Sequence, residues 1–172
     1  MNAAPSAATP VDAPQAAELA QRFERTFARI QTTRMQGIPL LNPALRVAAI
    51  GFAPCREREG AHGVLGALLT PWFLNLVWAP QDGAVPPVGV THWLALASGE
   101  YEFLGAYEDG LGSFAMASLY SPVFEFTAQE DAVAVATAAL DLLRAPAAAG
   151  AAAPVPQTAD ASRRAFLLGR GM

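Results

Sequence analysis

The stretch Thr70-Pro71-Trp72-Phe73-Leu74-Asn75-Leu76-Val77-Trp78 decides the fold. Pro71 fixes its own φ and holds Thr70 extended, and Leu74, Leu76 and Trp78 then alternate with Phe73, Asn75 and Val77 at the period of a strand. One face of such a strand meets a core. The other carries Phe73 and Val77 around one amide, Asn75, and an apolar surface with a single directional polar group suits a second layer or a partner better than water. The competing reading of Trp72, Phe73 and Trp78 is plain core filling.

Working outward, Val64 to Thr70 and Trp72 to Val77 read as strands on either side of Pro71, and His92 to Ala97 and Tyr101 to Tyr107 flank Ser98-Gly99-Glu100, the spacing of a hairpin with Gly in its turn. Gly110-Leu111-Gly112 makes another turn before a strand from Phe114 to Tyr120. Short turns between short strands imply an antiparallel meander, since parallel pairs need long crossovers. Upstream, Leu45 to Ala53, apolar apart from Arg46, has the β-branching of a buried strand. Helices bracket the sheet. Asp12 caps a helix from Ala13 to about Thr32, with Pro14 in its first turn and Ala16, Leu19, Phe23, Phe27 and Ile30 on one face. Thr127 and Glu130 have the spacing of a capping box, after which Val133, Ala136, Leu140 and Leu143 keep helical period until Pro146.

The expected fold is therefore α+β, an antiparallel meander packed by an N-terminal and a C-terminal helix, with disordered tails. Residues 1–12 read as a tail, 13–145 as one domain, 146–161 as an Ala/Pro-rich linker and 162–172 as a separate C-terminal peptide. A chain of 172 residues buries a core without staples. Net charge is −4 and no basic stripe tracks a phosphate backbone, so nucleic acid is not an expected partner. The apolar run from Gly63 to Trp78 is shorter than a membrane span and Pro71 interrupts it, and residues 1–11 lack a basic segment ahead of an apolar one. The expected location is the cytoplasm, without membrane insertion.

Little in the sequence points to catalysis. Cys55 is the single cysteine, beside Arg56 and Arg58, whose charge could lower a thiol pKa, while Glu57 and Glu59 oppose that effect and a spectator thiol is the plainer reading. His62 and His92 stand on other elements, without the short spacings of a metal site. Glu100 and Glu102 share one face of a hairpin, as two carboxylates on a solvated sheet face do, and no serine sits in a nucleophile elbow. No cofactor, metal or catalytic residue is expected. An alternative of another class is a small thiol- or metal-handling accessory protein centred on Cys55, and a third is an adaptor subunit of some other assembly.

Taken together, residues 70–78, Ser98-Gly99-Glu100-Tyr101-Glu102-Phe103-Leu104-Gly105-Ala106 and Ser118-Leu119-Tyr120-Ser121-Pro122-Val123-Phe124-Glu125-Phe126 resemble, in order and spacing, the HybE/HoxT family of [NiFe]-hydrogenase assembly chaperones. The resemblance covers roughly residues 43 to 144. It implies a non-catalytic chaperone that binds large or small subunit precursors, or both, before assembly and export. The contact surface it suggests contains Trp72, Phe73, Asn75, Tyr101, Phe103 and Phe124. It also implies that the rubredoxin module some relatives carry is missing, since that module needs several cysteines.

The C-terminal peptide is the second unusual feature. Ser162-Arg163-Arg164-Ala165-Phe166-Leu167-Leu168 resembles a twin-arginine export motif, yet it stands at the wrong end of the chain with only Gly169 to Met172 after it. It cannot serve as an export signal there. Either it is a short basic amphipathic tail without a binding role, or Arg163, Arg164 and Phe166 fold back onto the domain as a pseudo-substrate.

Overall fold

The structure is a computed structural model and describes residues 11–146 apart from 59, 82–84 and 86. Its element order is α1 (Ala13–Thr32), β1 (Ala48–Arg56), β2 (His62–Leu69), β3 (Leu74–Pro80), β4 (Thr91–Leu96), β5 (Gly99–Glu108), β6 (Gly112–Tyr120) and α2 (Gln129–Arg144). Thr70 organises the turn between β2 and β3. Its hydroxyl accepts from the backbone N–H groups of Trp72 and Phe73 and donates to the carbonyl of Phe73, so these two aromatics belong to the turn and β3 starts only at Leu74. From there the alternation holds: Leu74, Leu76 and Trp78 join one apolar cluster, and Val77 joins another on the opposite face.

All strand pairs are antiparallel, in the order β1-β2-β3-β6-β5-β4. Each half is a three-stranded meander, but the segment after β3 carries the chain to the far edge, so β3 pairs with β6 and not with β4. The sheet curls until its two edges meet at one end. There the Arg58 N–H donates to the Ala95 carbonyl at 2.8 Å, Arg58 pairs with Glu100, and His92 Nε2 lies 3.4 Å from Glu57 Oε1.

The curl gives the sheet an inner and an outer face, each with its own helix. Inside, Leu65, Trp78, Leu94, Leu96, Phe103 and Ala115 converge from five strands, and α2 adds Ala132, Ala136, Leu140 and Leu143. Outside, α1 lays Phe23, Phe27 and Ile30 on Leu68, Val77 and Phe114, with Phe23 edge-on to Phe114 and Phe27 edge-on to Phe73. The second layer suggested by Phe73, Asn75 and Val77 is thus α1. Its N-terminus is capped by Asp12, whose side chain accepts from Gln15 N–H while Gln15 returns a bond to the Asp12 backbone. The equivalent box at α2 does not form. The cap position is Ala128, and the side chain of buried Gln129 instead accepts from the Arg46 N–H and donates to the Arg46 carbonyl, tying α2 to the segment before β1.

Two glycines let layers approach. Gly66 in β2 lies under the Phe52 ring, where a Cβ would come within 2.2 Å of a ring carbon. Gly51, at a bulge in β1, has φ +60° and faces Leu140 of α2. The Gly51 and Leu65 carbonyls both accept from Arg144, and the Ala49 N–H donates to Glu24 of α1.

Candidate functional site

On the outer face α1 reaches Phe114 of β6 and Ala106 of β5, but Trp93 of β4 and Leu104 of β5 lie beyond it. The register places Thr91 opposite Leu104, Trp93 opposite Glu102 and Leu104 opposite Met116, so Trp93, Leu104 and Met116 share that outer face with Glu102, Thr91 and Ser118. Trp93 is 61% exposed and Leu104 49%, in the middle of paired strands. Met116 is half-buried against the α1 cluster and joins this patch to it. Glu102 accepts from the Thr91 hydroxyl and has no ion-pair partner among the described residues.

At the border of the patch sits Asn75, next to Ser118 and Leu68 in the register. It is 8% exposed, its Nδ2 reaches only Met116 Sδ at 3.8 Å, and its Oδ1 accepts no hydrogen bond. A buried acceptor left unmade costs about 1–3 kcal/mol. Asn75→Leu should therefore raise the melting temperature of the isolated protein by several degrees, read by circular dichroism; a lower melting temperature would show that the amide supports the fold.

The structure separates the residues that the sequence grouped. Trp72 and Phe73 are half-buried and pack edge to face on the α1 cluster beside Phe27, close to the outer layer but not freely presented. Phe103 points to the inner face at 0% exposure, so in the folded domain it is core. Tyr101 has the same parity; it packs on the inner cluster and donates its hydroxyl to Ser98 Oγ, which donates to the Leu143 carbonyl at the end of α2. Phe124 is 53% exposed in the connection between β6 and α2. That connection is anchored by buried Val123 and Phe126, whose carbonyls both accept from Asn42 Nδ2. Arg163, Arg164 and Phe166 lie outside the described residues. Trp93, Leu104 and Met116 escaped the sequence reading, although a Trp beside Leu94 and a Leu beside Phe103 put apolar residues on both parities of one hairpin.

Cys55 is half-buried against the inner cluster. Burial pushes its thiol up, and the Arg144 charge and the Arg56 backbone N–H oppose this without reversing it. The lowering that Arg56 and Arg58 could exert does not decide the thiol: burial dominates, and Glu57 adds to it. Among the described residues no group of three or more His, Cys, Asp or Glu is placed to hold a metal ion. A disulfide reagent should modify Cys55 far more slowly at pH 8 in the native protein than after unfolding. The raised pKa also means that the neutral thiol supports folding below the unfolded value, and this support is lost as pH rises through the folded one.

The profile of the family described as "[NiFe]-hydrogenase assembly, chaperone, HybE" matches residues 18–169. The chain belongs to the HybE family of [NiFe]-hydrogenase assembly chaperones. It is 43% identical to "Protein HoxT" of Cupriavidus necator over 161 residues, 87% of this chain and 88% of that one. It is 40% identical to "Hydrogenase expression/formation protein HupT" of Azotobacter chroococcum over 141 residues, 81% and 88% of the two chains. The solution structure of HybE from Escherichia coli has the same fold, with a TM-score of 0.57 and 23% identity over 90% of this chain and 91% of that one. The family match extends past α2 and takes in Arg163, Arg164 and Phe166. Among the described residues, no helix of this HybE-family chain is long and apolar enough to cross a membrane.

Proposed function

We propose that this chain holds immature [NiFe]-hydrogenase subunits, large, small or both, in the cytoplasm before assembly and export, and that it does so without turnover. Membership of the assembly-chaperone family and relatives named for hydrogenase expression and formation support the reading. The observation that carries it is Trp93, a large aromatic exposed at mid-strand on the part of the sheet face beyond α1, flanked by Leu104 and Met116 and bordered by an amide with an unused acceptor. Aromatic residues of this kind anchor protein interfaces, where truncation costs 2 kcal/mol or more at roughly one position in several.

Purified precursor large subunit and precursor small subunit, each titrated against the full chain, test the proposal. Trp93→Ala should weaken binding of at least one precursor by about thirtyfold or more, and Asn75→Leu should weaken it while leaving the protein folded. Asp141→Asn, on the exposed side of α2, should leave affinity unchanged. Equal affinity of wild type and Trp93→Ala for both precursors would remove this face from the account. Cys55→Ser should leave hydrogenase maturation in cells near normal, since holding a precursor needs no nucleophile; loss of maturation at unchanged protein abundance would favour the thiol-centred alternative.

A further inference from the structure

The uncovered outer face has a candidate occupant within the same chain, and three observations narrow the choice. The first is where the described chain ends. The Leu143 carbonyl, near the end of α2, lies at the turn between β4 and β5, where it accepts from Ser98 Oγ at 2.6 Å, and Glu100 and Glu102 follow directly on β5. The second is length. Residues 146–161 separate that point from Ser162, and sixteen residues span at most about 50 Å when extended, several times the distance from the turn to the middle of β5. The third is chemistry. The face offers a carboxylate without a cation partner among the described residues, Glu102, directly opposite an exposed indole, Trp93, with Leu104 and Met116 next to them. The tail offers two guanidinium groups followed by Phe166, Leu167 and Leu168, in a stretch that the family match includes.

We infer that residues 163–168 dock in cis on the outer face of β4, β5 and β6 and compete there with any protein partner. In an extended segment Arg164, Phe166 and Leu168 share one side at a spacing of about 6.6 Å, the same as that between Glu102 and Leu104 along β5. Arg164 forms a bidentate pair with Glu102 and stacks on Trp93, while Phe166 covers Leu104 and Met116. Glu100 is the weaker choice of anchor because Arg58 already holds it. Tethering sets a local concentration on the order of millimolar, so an intrinsic dissociation constant of about 100 μM keeps the face roughly nine-tenths covered and weakens a competitor about tenfold. The inference shares the uncovered face with the proposed function, but its test uses no hydrogenase subunit, so the two fail separately.

The probe is a fluorescent synthetic peptide of residues 160–170, titrated against full-length proteins at low salt. Wild type, with its own tail in place, should bind the probe about tenfold more weakly than the full-length variant R163A/R164A/F166A. Adding Glu102→Gln or Trp93→Ala to that variant should each reduce probe affinity by tenfold or more; Glu102→Gln is nearly isosteric at a partly exposed position and keeps the test valid if the Trp variant folds poorly. Equal probe affinity in wild type and tail variant overturns the inference, as does probe binding that ignores both face substitutions. A concentration-dependent dimer of the wild type that disappears in the tail variant would put the tail on a second copy, and that too overturns docking in cis.

Discussion

Asn42→Ala lowers the stability of the folded domain by about 3 kcal/mol and the melting temperature by roughly 10 °C. Asn42 is buried, and every polar group of its side chain is used. Nδ2 donates to the Val123 carbonyl at 2.9 Å and the Phe126 carbonyl at 2.8 Å, and Oδ1 accepts from the Ala44 N–H at 3.0 Å. Its backbone N–H donates to the Pro71 carbonyl at 2.8 Å. One residue thus joins the segment before β1, the turn ahead of β3 and the connection into α2. Truncation leaves the two buried carbonyls of Val123 and Phe126 without this partner, together with the less buried Ala44 amide. Asn42→Asp should be at least as damaging, because it keeps the acceptor for Ala44 but sets a carboxylate against two carbonyl oxygens. A melting-temperature shift below about 2 °C for the alanine variant would show that water or a neighbouring group replaces the clamp.

The second large effect is conditional on its partner. Gly66→Ala should cost about 2 kcal/mol, because the new Cβ would come within 2.2 to 2.6 Å of three Phe52 ring atoms and displace a ring that packs 5.3 Å from that of Phe23. In a Phe52→Ala background the same change should be neutral or mildly stabilising, since alanine is the better strand residue once the ring is gone. Chemical denaturation of the four proteins of this cycle measures the coupling, expected to exceed 1.5 kcal/mol. Additive effects would mean that Phe52 leaves its place at no expense.

Local signals carried most of the secondary structure. Asp12 and the spacing of Ala16, Phe23, Phe27 and Ile30 mark α1 at the bounds observed, and the alternation of residues 74–78 assigns each side chain of β3 to the correct face. Non-local pairing was less legible. Nothing in the local pattern tells β3 to pair with β6 in place of β4, because that choice depends on how the whole inner cluster closes. Phe103 reads as a candidate contact from its motif, yet parity in a curled sheet puts it among Trp78 and Leu94 at the centre of the core. Thr127 and Glu130 have capping-box spacing, and the buried bonds of Gln129 to Arg46 override it. Trp93 was missed for the opposite reason: its exposure follows from the limited reach of α1 across the outer face, a property of three-dimensional packing that a single strand does not encode.

The bonds along β1 have a consequence for how clients are chosen. The Ala49 N–H is taken by Glu24 and the Gly51 carbonyl by Arg144, Pro54 has no N–H to offer, and just past the strand the Arg58 N–H is taken by Ala95. An extended segment of another chain therefore meets an interrupted ladder along this border, which disfavours strand addition, a mode that reads main chain and is nearly blind to sequence. On the proposed function, discrimination would then fall to side chains such as exposed Trp93 and partly exposed Glu102.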